Sequence, residues 1–318
     1  MTKAKCLICN GYMEDSNAGY HASCCKELFG QPTAPDLPYA YSELNELAKK
    51  IVMSRITVPG VQAKLSLHFN SSLKGPGRFT LVGLWGNYIL KPPMDAYPFM
   101  PEIENLTMCL ANFFGIATVS HGLIRLKSGE LAYITRRIDR LPDGRKLHME
   151  DMCQLNERLT EDKYKGSMEQ IGKIVKKYSS NPLFDCIRLF EVTLFSFLTG
   201  NADMHLKNFS LIYPVNGMVQ LSPAYDLIAS RLLISEKDDP EEMALTMNGK
   251  KRRIVSSDFK KFSENLGLNE IQFQNIRKKF AKKMHTIGSL LENTMLPDEK
   301  AHDFIALITE RALRIGLM

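Results

Sequence analysis

Between residues 61 and 91, apolar and polar residues alternate with the period of two that sends every second side chain to one face of a sheet. The clearest runs are Phe79-Thr80-Leu81-Val82 and Tyr88-Ile89-Leu90-Lys91. Pro92-Pro93 cannot donate to a ladder and ends the second predicted strand. Upstream, Leu44, Leu47, Ala48, Ile51 and Val52 recur at helical spacing behind Ser42, an expected N-cap followed by acidic residues. Downstream, Leu106, Cys109, Leu110, Phe113 and Phe114 predict a helix from Pro101 that Gly115 terminates as a C-cap, and strands are expected near 119–125 and 131–137. These elements make a small, mostly antiparallel lobe.

Near residue 150 the pattern turns helical. The segment Asp185 to Thr199 is apolar on most faces, which predicts a buried central helix delivering the chain through Gly200 into the next loop. Residues 257–317 carry helical periodicity with little chemistry. Three prolines within residues 31–41 read as an extended linker. The expected fold class is α+β, with a Cys/His-rich segment and linker at 1–41, a β-rich lobe at 42–149 and a helical lobe at 150–318.

Composition narrows this picture only modestly. With 318 residues and 44% hydrophobic content the chain can bury a large core. It has no run of eighteen uncharged apolar residues and no apolar leader after Met1, so a cytoplasmic protein without membrane contact is expected. A net charge of +6 suits an anionic ligand but falls short of a nucleic-acid-binding signature. Seven cysteines, an odd number, suit a reducing compartment.

Four of the soft ligand residues stand close together at the N-terminus, as Cys6-x-x-Cys9 and His21-x-x-Cys24, with Cys25 next to the last. Two such knuckles can hold a structural Zn²⁺, although an apo hairpin and a redox pair use the same residues. Four protein ligands would leave no open position for catalysis.

The candidate chemistry lies in Gly200 to Ser210, where Asp203 precedes Asn208 by five residues, and in Leu221 to Ile228, which carries Asp226. An Asp on a loop entering a strand can serve as a base. The Asn amide oxygen and the second Asp supply the hard oxygens that Mg²⁺ prefers while nucleotide phosphates fill the rest of its shell. Asn and Asp are also common in hairpin turns, so the upstream residues matter. Lys91, at the end of an apolar strand, can pair with Glu102 or Glu104 on the next helix and reach nucleotide phosphates, while residues 54–64 form a short loop between helix and strand. Loop, strand Lys, helix Glu, Asp-x-x-x-x-Asn and Asp follow one another as the parts of a protein kinase do.

The runs Thr57 to Lys64, Arg136-Arg137-Ile138-Asp139-Arg140, Glu150-Asp151-Met152-Cys153-Gln154, Gly200 to Ser210 and Leu221 to Ile228 resemble the HipA-like serine/threonine kinases, toxins of bacterial toxin–antitoxin systems. The chain looks most like the shorter HipT form, in which a separate small protein replaces an N-terminal subdomain. The resemblance implies a two-lobed protein-kinase-like fold that uses ATP and Mg²⁺. It implies Asp203 as catalytic base, with His205 and Lys207 lining its loop, and Asn208 and Asp226 as Mg²⁺ ligands. Lys91 is then the phosphate-binding lysine with Glu104 as partner. Val58, Gly60, Val61, Gln62 and Lys64 cover the phosphates, and Glu150 to Met152 form an adenine-reading hinge. Thr57 or Ser54 is the implied autophosphorylation site.

By the same resemblance the substrate is a protein, an aminoacyl-tRNA synthetase being the family's target, and the partners are antitoxin proteins through which any DNA contact is indirect. The alternatives from other classes are a catalytically silent kinase-fold protein that binds nucleotide or antitoxin, and a zinc-ribbon nucleic-acid binder. The Cys block lacks the basic and aromatic interleaving expected of the latter.

Overall fold

The structure, a computed structural model, describes residues 4–14, 19–54, 62–70, 75, 77–83, 85–141, 143–291 and 294–318. The chain divides into two compact units, the first comprising Met1–Leu106, Val119–Arg140 and Asn293–Leu296, the second the remainder.

The first unit contains α1 (Ala22–Phe29), α2 (Tyr41–Ser54), β1 (Leu65–Asn70), β2 (Arg78–Val82), β3 (Tyr88–Lys91), the first turns of α3 (Met100–Phe113), β4 (His121–Arg125) and β5 (Leu131–Arg136). The strands form one antiparallel sheet in the order β2-β1-β3-β5-β4. Period-two patterning works as expected: Leu65 and Leu67 of β1, Phe79 of β2, and Tyr88 and Leu90 of β3 bury together with Ile134 of β5. Cys25, Leu28 and Phe29 of α1 join this core, and Phe29 meets Phe79 edge-on at 6.0 Å. The Cys/His-rich segment is thus built into the first unit rather than standing apart as its own body.

The expected Ser42 cap is replaced. Helix α2 begins at Tyr41, whose N–H donates to Ser128 Oγ at 2.8 Å, while the Ala40 N–H donates to Glu43 Oε2 at 2.7 Å. A serine 87 positions away supplies an acceptor that local sequence had assigned to Ser42.

The second unit contains the end of α3, β6 (His148–Asp151), α4 (Met152–Leu155), α5 (Met168–Tyr178), α6 (Pro182–Leu198), β7 (Ser210–Tyr213), β8 (Gln220–Leu221), α7 (Ser256–Asn265), α8 (Glu270–Met284), α9 (Ile287–Leu291) and α10 (Asp298–Arg314). Strands β6, β7 and β8 make a small antiparallel sheet. Helix α6 starts with Pro182 in its first turn, where the missing N–H costs nothing, and it is buried on nearly every side, as its composition predicts.

Two buried charges tie α6 to its surroundings. Asp185 accepts from Ser179 Oγ at 2.6 Å, from the Leu221 N–H at 2.8 Å and from Arg188 at 3.0 Å, and Arg188 in turn donates to the Leu221 carbonyl at 2.6 Å. This network fixes β8, the strand that leads to Asp226. At the other end, Arg311 of α10 donates to the Phe197 carbonyl at 2.5 Å and stacks on the Phe197 ring, and burial lowers its guanidinium pKa to about 10. Among the described residues no helix is long and apolar enough to cross a membrane.

Candidate active site

The loop after α6 is shaped by Gly200. Its φ is 71°, and a Cβ there would lie 2.6 Å from Leu307 Cδ2 and 2.9 Å from Arg231 Cβ, so only glycine fits without displacement. Its carbonyl accepts from the Arg231 N–H at 3.0 Å and Ser230 Oγ at 3.2 Å, and Ser230 Oγ accepts from the Ala202 N–H at 2.9 Å. Arg231 is itself spent on the Asp239 and Glu241 carbonyls, both at 2.6 Å. The segment after Asp226 therefore pins the loop that contains Asp203.

Within the loop, Asp203 and Asn208 are joined through the backbone. Asn208 Nδ2 donates to the Asp203 carbonyl at 2.9 Å, and the Asn208 N–H donates to the His205 carbonyl at 2.9 Å. The first bond fixes which way the amide faces: its NH₂ is committed to the loop and its Oδ1 is directed away as an acceptor. The Asp203 N–H donates to Asn201 Oδ1 at 3.2 Å. The Asp203 carboxylate accepts from the Tyr164 hydroxyl at 2.7 Å, and the Tyr164 ring meets His205 edge-on at 5.1 Å. Burial, followed by the nearby Asp203 charge, pushes the Tyr164 phenol up, so it stays a donor at neutral pH.

Asp226 has φ 56°, the left-handed region that non-glycine residues occupy sparingly and that clusters at functional positions. Tyr225 before it holds that geometry. Its buried hydroxyl lies 2.5 Å from Ser210 Oγ and donates to the Lys207 carbonyl at 3.0 Å, linking the residue beside Asp226 to both ends of the Asn208 turn. Burial pushes the Tyr225 phenol up as well.

Lys207 pairs with Asp151 at 2.6 Å, and Asp151 caps α4 by accepting from the Gln154 N–H. Glu150 accepts from the Tyr213 hydroxyl at 2.7 Å, and the Met152 N–H donates to the Phe209 carbonyl at 2.9 Å. That Met152 N–H and the Glu150 carboxylate already serve the β6–β7 ladder, so these two groups have partners within the fold.

In the first unit, Lys91 Nζ and Glu104 Oε1 form a buried ion pair at 2.5 Å, and Lys91 also lies 5.3 Å from the centroid of the Tyr133 ring. The partner is Glu104 and not Glu102, whose carboxyl is pushed up by burial. Gln62 Nε2 donates to the Pro92 carbonyl at 3.2 Å, and Lys64 is exposed. Thr57, Val58, Gly60 and Val61 lie outside the described residues, as does the Ser54 side chain. Cys6, Cys9, His21 and Cys24 converge, with their ligand atoms within 4.8 Å of one another.

Sequence reasoning missed Tyr164, Tyr225, Ser230 and Arg231. Only Tyr225 carried a signal, its place next to Asp226. Within the second unit, the carboxamide oxygen of Asn208 and the carboxylates of Asp203 and Asp226 are hard oxygen donors of the kind Mg²⁺ takes.

The profile of the HipA-like C-terminal domain matches residues 56–287. A Haemophilus influenzae protein described as a putative kinase is 28% identical over 312 residues, covering 89% of this chain and 88% of that protein. The serine/threonine-protein kinase toxin HipA of Shewanella oneidensis is 26% identical over 276 residues, covering 79% of this chain and 61% of the toxin. A chain from the solved complex of Shewanella oneidensis HipA with HipB and operator DNA aligns with a TM-score of 0.67 at 22% identity, covering 88% of this chain and 72% of that one. The α+β fold is kinase-like, as in that structure.

Proposed function

The chain belongs to the HipA-like C-terminal domain family, and from that premise we propose that it is an ATP- and Mg²⁺-dependent serine/threonine protein kinase, the toxin of a toxin–antitoxin pair. The observation that carries this reading is the hydrogen bond from Asn208 Nδ2 to the Asp203 carbonyl. It supports the reading because it commits the Asn208 NH₂ to the loop, which would leave Oδ1 for a metal, and fixes the backbone that carries the Asp203 carboxylate, the proposed acceptor of a substrate hydroxyl proton.

Asp203 takes that proton as the hydroxyl oxygen forms a bond to the γ-phosphorus and the bond to the β-phosphate oxygen breaks, releasing ADP. Tyr164 orients the carboxylate. Asn208 and Asp226 would hold Mg²⁺, which neutralises charge on the nucleotide phosphates. Lys91, kept charged and straight by Glu104, pairs with the α- and β-phosphates. Gln62 and Lys64 lie at the end of the phosphate-covering loop, and Glu150 to Met152 are the proposed adenine-side segment. Thr57 or Ser54 is the proposed autophosphorylation site.

The substrate proposed is a Ser or Thr of an aminoacyl-tRNA synthetase, whose modification would stop translation. HipB accompanies HipA in the Shewanella oneidensis complex, and by analogy an antitoxin protein is the proposed partner here, with DNA reached through it.

Incubation with γ-labelled ATP and Mg²⁺, alone and with cell extract, tests the reading. Transfer of label by the parent chain and its loss in Asp203→Ala are expected. Absence of label from both this protein and every extract protein would leave the catalytically silent alternative, and undiminished activity in Asp203→Ala would refute the base.

A further inference from the structure

We propose that Cys6, Cys9, His21 and Cys24 hold one tetrahedral structural Zn²⁺, and that this metal knuckle sets the position of helix α3, the helix that presents Glu104 to Lys91. The matched family profile begins at residue 56, so this site lies outside it.

The first half rests on geometry. The four ligand atoms lie within 4.8 Å of one another, with Cys9 Sγ 3.4 Å and Cys24 Sγ 3.8 Å from His21 Nδ1. Zn–S and Zn–N bonds of about 2.3 and 2.0–2.1 Å give a tetrahedral S-to-N edge of about 3.5 Å, so both separations match a shared metal. His21 Nε2 sits 3.0 Å from the Tyr12 carbonyl. As a donor to that oxygen, Nε2 carries the proton and leaves the Nδ1 lone pair facing the sulfurs, the outer-shell device that selects a tautomer at metal sites. The backbone supports the cluster too. The His21 N–H points at Cys6 Sγ at 3.4 Å, the Cys6 N–H donates to the Gly11 carbonyl at 2.8 Å, and the Asn10 N–H donates to the Cys6 carbonyl at 2.9 Å.

Cys6, Cys9 and Cys24 are not joined in disulfides. Cys25, which exceeds the four ligands, has a different task, being buried among Leu28, Phe29 and the sheet core. Four protein ligands close the coordination sphere, so the site is structural.

The second half rests on what the knuckle touches. The Leu7 carbonyl accepts from the Leu123 N–H at 2.7 Å, and Tyr20 donates to the Leu123 carbonyl at 3.2 Å, which attaches the knuckle to β4. Between the two ligands Cys6 and Cys9, Ile8 packs so closely on Gly122 that a Cβ there would fall 2.7 Å from Ile8 Cγ1. The Ile8 carbonyl also accepts from Asn105 Nδ2 at 3.4 Å. Asn105 is the neighbour of Glu104 on α3, and its Oδ1 meets His121 Nδ1 at 3.0 Å. Metal bound at Cys6 and Cys9 therefore fixes the very turn that anchors α3 next to the Lys91–Glu104 pair.

The test uses the full chain purified without chelator. Elemental analysis is expected to give about one Zn²⁺ per chain, and Cys9→Ser or Cys24→Ser to reduce this below about a tenth. Cobalt added to the metal-stripped parent should give the intense visible absorption of a tetrahedral thiolate site, a readout independent of whether any variant folds. Removing the metal is expected to weaken ATP binding, measured by calorimetry, by roughly three- to tenfold, in a protein that retains its far-ultraviolet circular dichroism. An intact, reduced chain that takes up neither Zn²⁺ nor Co²⁺ overturns the metal site. Unchanged ATP affinity on metal removal overturns the coupling to α3. Metal content is read without any kinase assay, so its outcome is distinct from that of the proposed activity.

Discussion

Lys91 Nζ lies 2.5 Å from Glu104 Oε1 with both side chains almost fully buried. Removing one partner of such a pair strands a charge, at about 3–5 kcal/mol, whereas replacing both by apolar residues of similar volume is close to neutral. Lys91→Met and Glu104→Leu are therefore each expected to lower the urea midpoint strongly, and the double variant to regain most of the loss. ATP binding should be absent in the double variant all the same. A stable double variant that binds ATP normally would remove Lys91 from the phosphate site.

Tyr164 and Asp203 meet across 39 residues of sequence. A charge-assisted hydrogen bond contributes about 1.5 kcal/mol or more, so Tyr164→Phe is expected to lower kcat roughly tenfold with little change in the KM for ATP. Asp203→Asn should cost about 10²–10⁴-fold in kcat, the span of a general base. An unchanged or raised kcat in Tyr164→Phe would mean that the hydroxyl merely occupies the carboxylate's acceptor position.

Asp226 occupies the left-handed region, which Asn tolerates as well as Asp does. Asp226→Asn thus keeps the backbone and removes the charge of a proposed metal ligand. The expected result is an unchanged melting temperature, a loss of about 10²-fold or more in activity and a higher Mg²⁺ concentration for half-maximal rate. Normal Mg²⁺ dependence would exclude Asp226 as a ligand.

These contrasts trace what was legible in the chain. Period-two patterning located β2 and β3, and the run from Asp185 to Thr199 located α6, because those elements follow from local burial. Asp203, Asn208 and Asp226 stood out as candidates through their own side-chain chemistry and the Asp-x-x-x-x-Asn spacing, whereas the patterning had located neither β7 nor β8 beside them. Tyr164, Ser128 and Arg231 were not, since each acts on a partner far away in sequence or through backbone groups that any residue type carries. The choice between Glu102 and Glu104 needed the helix phase: one carboxylate faces Lys91 and the other is buried elsewhere.

His121 is the clearest source of pH dependence. Its imidazole is buried, stacked at 6.2 Å on Tyr133, the ring that Lys91 also contacts, and burial lowers its pKa from 6.5 to about 4. Between those values the unfolded chain binds a proton that the native protein refuses, so stability is fully present above pH 6.5, falls as the pH drops and levels off below about 4. The shift corresponds to about 3 kcal/mol across that window. Nuclear magnetic resonance of the imidazole should show His121 neutral at pH 5, and an ordinary midpoint near 6.5 would sink the prediction. His121→Gln keeps a donor for Asn105 Oδ1 without titrating, so its urea midpoint should vary less between pH 7 and pH 5 than the parent's. Because His121 and Lys91 both contact the Tyr133 ring, protonation of His121 would add a second positive charge near Lys91, the proposed phosphate-binding lysine, and weaken its pairing with Glu104. ATP affinity in the parent should then fall alongside stability as the pH approaches 4, and fall less in the glutamine variant.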